Sequence, residues 1–212
     1  MDSPVSVTLK GDNGKTKDEP IIIQVPKELR ELKLRPNEYG TWSSDGRKKR
    51  AELFAQQTAD LEGLISAMPK ASFGNGGETV INSNVRDALQ LKADRYDLNI
   101  PQEVIDNILV EIKKDLRLQT DIIAEPYSLN AYQTGGKFLK HKDTPRGDDM
   151  FGTLVICLPS WFTGGTMSIS LGNGKETYFE YKEVLIGVHS SLTLTMKFTL
   201  SMREFVSLQH IF

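Results

Sequence analysis

The stretch Tyr132-Gln133-Thr134-Gly135-Gly136-Lys137-Phe138-Leu139-Lys140-His141-Lys142-Asp143-Thr144-Pro145-Arg146 sets an imidazole and a carboxylate two residues apart at the end of a segment with strand character. Side chains at i and i+2 of a strand project from the same face. His141 and Asp143 can therefore reach one metal ion while Lys142 points away. One ring nitrogen and one carboxylate oxygen make up part of a facial iron triad, which a second histidine completes and which leaves coordination positions open. The location of a third ligand is thus the central question posed by the rest of the chain.

On either side of this stretch the pattern is one of short strands. Ile122 to Tyr132, Lys137 to His141, Phe151 to Leu158, Gly165 to Leu171 and Glu176 to Tyr181 each have strand length, punctuated by Gly135-Gly136, Gly164-Gly165 and Gly172-Asn173-Gly174. Upstream the period changes. Leu53, Phe54, Leu61, Leu64, Ile65 and Met68 recur at helical spacing from Asp45 until Pro69 stops the run. A second helix is expected from Pro101 to about Leu118, with Val104, Ile105, Ile108, Leu109 and Ile112 as its apolar face. Helices first and antiparallel strands afterwards predict an α+β domain, a jelly-roll core backed by amino-terminal helices.

Residues 1–20 carry Gly11, Asp12, Asn13, Gly14, Lys15, Lys17, Asp18 and Glu19 with little to bury, and read as a disordered leader. The expected organisation is therefore a leader over 1–20, a helical support region over 21–120, a jelly-roll half over 121–185 and an atypical tail over 186–212. The glycine-rich segment Ala71 to Val80 lacks the Lys-Ser/Thr ending of a phosphate-binding loop.

Composition narrows the function. A chain of 212 residues buries a sizeable core and fits one domain. The 26 basic and 28 acidic residues give a net charge of -2, so no global field argues for nucleic acid or an anionic membrane. The polar amino terminus has no signal-peptide run, and no apolar stretch reaches transmembrane length. The lone Cys157, inside the apolar run Thr153 to Leu158, reads as a buried small hydrophobe and not a reactive thiol. A reducing compartment, cytoplasmic or nuclear, is expected.

The segment from Tyr127 to about Glu180 resembles the Fe(II)/2-oxoglutarate-dependent dioxygenases of the prolyl 4-hydroxylase-like family. The residues that carry the resemblance are Tyr132, Gly135, Gly136, Phe138, His141-Lys142-Asp143-Thr144, Met150 to Pro159, and Gly164-Gly165. Ser72-Phe73-Gly74 and Glu78-Thr79-Val80 look like the lead-in of fungal-type members. The resemblance implies a double-stranded β-helix with His141 and Asp143 as iron ligands and Tyr132 lining the 2-oxoglutarate pocket. It further implies Fe(II) as cofactor, 2-oxoglutarate and O₂ as cosubstrates, ascorbate as an accessory reductant, and hydroxylation of a C–H bond in a protein or small-molecule substrate. Arg146, three residues past Asp143, has a position from which to pair with a substrate carboxylate; a solvated loop arginine is the simpler reading.

The tail departs from the family. A distal histidine followed ten residues later by a basic residue, usually arginine, is required to complete the iron site and to hold the far carboxylate of 2-oxoglutarate. His189 is a candidate third ligand, but the residue ten later is Thr199. Lys197 and Arg203 have the wrong spacing from His189, and His210 leaves no room for a following strand. The core is accordingly expected to be incomplete at its carboxy-terminal end. The alternatives are an inactive relative, a non-catalytic jelly-roll binding module, or a metal-dependent cupin without 2-oxoglutarate.

The genetic code offers a reason for the departure. Codons built from the last base of one residue and the first two of the next make Met196 into Lys197 encode Glu, and Lys197 into Phe198 encode Val or Ile. Thr195 into Met196 allows His, and Phe205 into Val206 must give Arg or Cys. From Ile186 onward that frame is compatible with W-x-A-F-x-x-D-x-x-H-E-V-x-x-V-x-x-G-x-R-x-x-x-T-Y, which carries the missing histidine and arginine ten apart. The hypothesis is a frame-shifted or mis-spliced product with its break between about Phe179 and Ile186. Stops in that frame across codons 175–212 of the transcript would remove it.

Overall fold

Each strand of the core alternates between two environments in the computed structural model, which describes residues 5–11, 16–22, 59, 61–75, 77–143, 147–150, 152–158, 165–170, 175–180, 193–197 and 205–211. The alternation is clearest in three strands, Leu89–Lys92 (β6), Glu125–Tyr132 (β8) and Thr153–Cys157 (β10). Leu89, Leu91, Leu129, Ala131, Leu154 and Ile156 belong to one apolar cluster. Tyr132, Val155 and Cys157 belong to another, with Phe138, Met167 and Ile169. Residues two apart share a face, so one sheet separates two cores.

The first core lies between that sheet and the helices. Leu61 and Leu64 of the helical residues 61–66 (α1), with Ile105 and Ile112 of Gln102–Asp115 (α2), pack on it. The helix expected from Pro101 is therefore present with its apolar face turned inward. Of the helix expected from Asp45, residue 59 and residues 61–66 are helical and the earlier part falls outside the described residues.

The second core lies inside the jelly roll. Its two walls are antiparallel sheets. The four-stranded wall has the order β10, Phe205–Ile211 (β14), β8, β6. The five-stranded wall runs Glu176–Glu180 (β12), Thr166–Ser170 (β11), Thr193–Lys197 (β13), Lys137–His141 (β9), Arg86–Asp87 (β5). The chain crosses between walls at β8 to β9, β9 to β10, and β10 to β11, which is jelly-roll winding.

Three expectations require correction. The core is not incomplete at its carboxy-terminal end: β13 pairs with both β9 and β11, and β14 with both β8 and β10. Ladder pairing uses backbone groups that every non-proline residue carries. A tail without the family's side chains can therefore still fill the sheet positions. The leader 1–20 is not structureless either. Ser6–Lys10 (β1) pairs with Thr16–Ile22 (β2) and with Tyr96–Asn99 (β7), and Val7 is wholly buried. Val5, Val7 and Leu9 supply an alternating apolar edge that the polar residues around them obscured. Finally, region 21–120 contains strands as well as helices. Phe73–Asn75 (β3) and Glu78–Val80 (β4) form a hairpin, so the glycine-rich segment is a turn between strands. No described helix is long and apolar enough to cross a membrane.

The turn into β9 is tightly built. Gly135 has φ +79°, where a side chain is strained, and the Gly136 N–H donates to Gln133 O at 2.7 Å. A Cβ on Gly136 would meet Gln133 O at 2.8 Å and Asp87 O at 3.1 Å, both backbone atoms unable to yield. Gly136→Ala is expected to destabilise the protein by about 1–3 kcal/mol, read as a lowered urea midpoint; an unchanged midpoint would show that the turn has room.

Candidate metal centre

The site is built at the end of β9, and an irregularity in that strand shapes it. Leu194 of β13 pairs with His141 and Met196 with Phe138, so two steps along β13 match three along β9. One extra residue on β9 is a β-bulge, which reverses the inside-outside phase. Consistent with this, Leu139 and Lys140 are both exposed. Phe138 and His141, three apart, then lie together: their rings stack with centroids 3.5 Å apart and planes 18° from parallel.

His141 and Asp143 converge. His141 Nδ1 lies 2.8 Å from Leu139 O, an acceptor, which places a proton on Nδ1 and turns Nε2 toward Asp143. That Nε2 is 3.6 Å from Asp143 Oδ1. Two metal bonds of about 2.1 Å can span up to roughly 4.2 Å, so one ion can reach both atoms. Thr153 Oγ1 of β10 donates to the other carboxylate oxygen, Asp143 Oδ2, at 2.7 Å. The two walls of the jelly roll are thereby joined at the site, and Oδ1 is aimed toward His141. Burial alone would raise the Asp143 pKa; hydrogen bonds from His141 and Thr153 and the charges of His141 and Arg86 outweigh it and hold the carboxyl below its ordinary value. Lys142, just past the end of β9, is exposed.

Tyr132 lies on the inner face of β8, only 2% exposed. Burial raises its phenol pKa, the charge and hydrogen bond of Arg86 oppose the rise, and the Asp143 charge adds to it. Tyr132, Arg86 and Asp143 are therefore within electrostatic reach of one another. The Arg86 guanidinium sits 4.6 Å from the centroid of Phe138, its register partner across β5 and β9. Arg86 Nη1 donates to Ser72 O at 2.6 Å and Nη2 to Asn130 Oδ1 at 2.8 Å.

The pair fits two positions of a metal site. Among the described residues no third histidine, cysteine, aspartate or glutamate joins it. The register partner of His141 is Leu194, a residue type with no ligating atom. His189, Arg146 and Arg203 lie outside the described residues. His210 is at the register position of Leu154, a member of the helix-side cluster. Lys197 pairs with Thr166 on β11, not with β9.

Sequence reasoning missed Thr153 and Arg86. Thr153 stood in the quoted Gly152-Thr153-Leu154 run, but nothing in a sequence says that it crosses to Asp143. Arg86 was legible as a charge directly preceding Asp87-Ala88-Leu89 at the start of an extended stretch. Cys157 is 8% exposed, and burial pushes its thiol up to about 12, which suits an inert core residue.

No protein-family model matches this chain, and comparison with curated proteins gives no match. Among solved structures it is similar to an oxidoreductase of the 2OG-Fe(II) oxygenase family from Burkholderia pseudomallei, at 17% identity over 74% of this chain and 78% of that one, with a TM-score of 0.48. A prolyl-4-hydroxylase from Pseudomonas putida is 19% identical over 77% of this chain and 84% of that chain, with a TM-score of 0.47. A prolyl hydroxylase from Trichoplax adhaerens, solved with a hypoxia inducible factor oxygen degradation domain peptide fragment, is 15% identical over 74% of each chain, with a TM-score of 0.47.

Proposed function

We propose that this chain is an Fe(II)/2-oxoglutarate-dependent dioxygenase-like protein of prolyl 4-hydroxylase type, with its metal held by His141 and Asp143. The observation that carries the reading is the convergence of His141 Nε2 and Asp143 Oδ1 at 3.6 Å, each fixed by a separate hydrogen bond. When bound, Fe(II) with 2-oxoglutarate and O₂ supplies hydroxylation of a C–H bond, with succinate and CO₂ as coproducts. The protein's part is positional. Leu139 O holds the Nδ1 proton of His141, Thr153 turns the Asp143 carboxylate, and the Phe138 ring covers one face of the imidazole. Tyr132, buried on the inner face of β8, is within electrostatic reach of Asp143.

A second reading has its own support. Leu194 is the register partner of His141, and no third ligand is found among the described residues. A site with two protein ligands holds iron weakly, and the same cleft then serves as a non-catalytic binding module. The frame-shift hypothesis for the tail accounts for both facts. Incubation of the purified full chain with Fe(II), ascorbate and 2-oxoglutarate separates the readings. The enzyme forms succinate above the protein-free rate, detected by NMR, and an N-oxalylglycine-type analogue suppresses it. Absence of succinate from protein that binds Mn(II) supports the binding module instead.

A further inference from the structure

Three flat groups are layered beside the metal pair. The Phe138 and His141 rings stack with centroids 3.5 Å apart, and the guanidinium of Arg86, the register partner of Phe138, lies 4.6 Å from the centroid of the same Phe138 ring. An imidazole at van der Waals distance fills the face it covers, so the guanidinium takes the other face and Phe138 lies between the two. Arg86 is firmly braced. Its charge is met by Asp143 and by the phenol of Tyr132. Nη1 donates to Ser72 O at 2.6 Å and Nη2 to Asn130 Oδ1 of the opposite wall at 2.8 Å, and two acceptors on one planar fork set its plane. Asn130 is itself held: Oδ1 also accepts from Gln90 Nε2 at 2.8 Å, and Nδ2 donates to Ser128 Oγ at 3.3 Å. Phe73, next to Ser72, meets the Phe138 ring at a centroid distance of 6.3 Å with a tilt of 54°. The His141 ring is anchored differently. A hydrogen bond to Leu139 O fixes one of its atoms but leaves rotation about that bond open, and the stacked ring closes it.

We propose that Arg86 is a positioning residue for His141 that acts through Phe138: the braced guanidinium holds the Phe138 ring, and that ring holds the imidazole with Nε2 facing Asp143. The inference deepens the reading given under Proposed function and rests on it for the metal, whereas the layering of the three side chains stands without it. Arg86→Lys separates stacking from charge. Lysine keeps the positive charge near Asp143 but lacks the planar fork that lies on the ring and reaches two acceptors.

The test uses the full chain and reads the His141 ring protons by NMR without metal, then Mn(II) affinity by calorimetry. In wild-type protein the Phe138 ring current is expected to displace the His141 ring protons upfield, with cross-peaks between the two rings. Phe138→Leu should return them to ordinary histidine positions, and Arg86→Lys should move them part of the way. In the Phe138→Leu background Arg86→Lys should move them no further, because the two changes act along one route. Mn(II) binding is expected to weaken about tenfold in Phe138→Leu and roughly three- to tenfold in Arg86→Lys, at or below the range for outer-shell partners of metal ligands. Should Arg86→Lys fail to fold, Asn130→Ala takes its place, since it removes the acceptor that aims the guanidinium, and the same movement of the His141 protons is expected. His141 protons unmoved by the variant, or moved equally with and without Phe138, or wild-type rings without cross-peaks, would each overturn the assignment. The expected movements in protein that binds no Mn(II) uphold the positioning role and sink only the metal reading.

Discussion

Replacement of His141 by alanine is expected to abolish Mn(II) or Fe(II) binding, as a lost calorimetric signal or a Kd at least about 100-fold weaker. Loss of an outer-shell partner of a metal ligand already costs roughly 10–100-fold, and among the described residues only Asp143 is placed to share an ion with His141. Asp143 alone, with Oδ2 occupied by Thr153, has one oxygen directed to the site. The folded state should survive. His141 is partly exposed and contributes a stacking contact and one local hydrogen bond, so circular dichroism should change little. Equal metal affinity in His141→Ala and wild type would remove His141 from the centre and, with it, the reason for reading the cleft as a metal site.

Leu194→His should have the opposite effect, tightening Mn(II) binding roughly tenfold or more, about 1.4 kcal/mol. Leu194 is the register partner of His141, and directly opposed positions in an antiparallel pair lie within about 5.5 Å on one face. A histidine there supplies the nitrogen that a facial triad needs. Leu194→Ala serves as the control, since it removes the apolar side chain without adding a ligand. Pairing Leu194→His with His141→Ala should return the affinity toward that of a two-ligand site. If Leu194→His binds Mn(II) no better than Leu194→Ala, the register of β13 does not place a third ligand at the centre.

Of the fold, the parts governed by local periodicity were legible. The period of Val104, Ile105, Ile108, Leu109 and Ile112 predicts α2, and Ile105 and Ile112 are indeed buried against the sheet. The strand at Lys137–His141 and the apolar run at Thr153–Cys157 were likewise readable. His141 and Asp143 were legible as near neighbours two residues apart, although β9 ends at His141 and Asp143 lies just beyond it. The bulge in β9 did not follow, because it is a mismatch between two strands more than fifty residues apart and leaves no mark in either one alone. Stacking of Phe138 on His141 was hidden for the same reason.

The tail gives the sharpest contrast. Its sequence lacks a histidine followed ten residues later by a basic residue, but a missing side-chain pattern is not a missing strand. Backbone hydrogen bonding is common to all residues, so β13 and β14 close the two walls while the site at their edge still lacks a described third ligand.

By itself, the sequence determined the chemistry that is available: an imidazole and a carboxylate two residues apart, a tyrosine before a glycine turn, and a tail in which no histidine is followed ten residues later by a basic residue. Only the tertiary structure decided how those groups meet. Thr153 reaches Asp143 from the opposite wall, Arg86 lies buried over Phe138, and Leu194 takes the place across from His141. The physical reason is that ligand type is a property of one residue, whereas distance, burial and charge compensation belong to strands brought together by the fold.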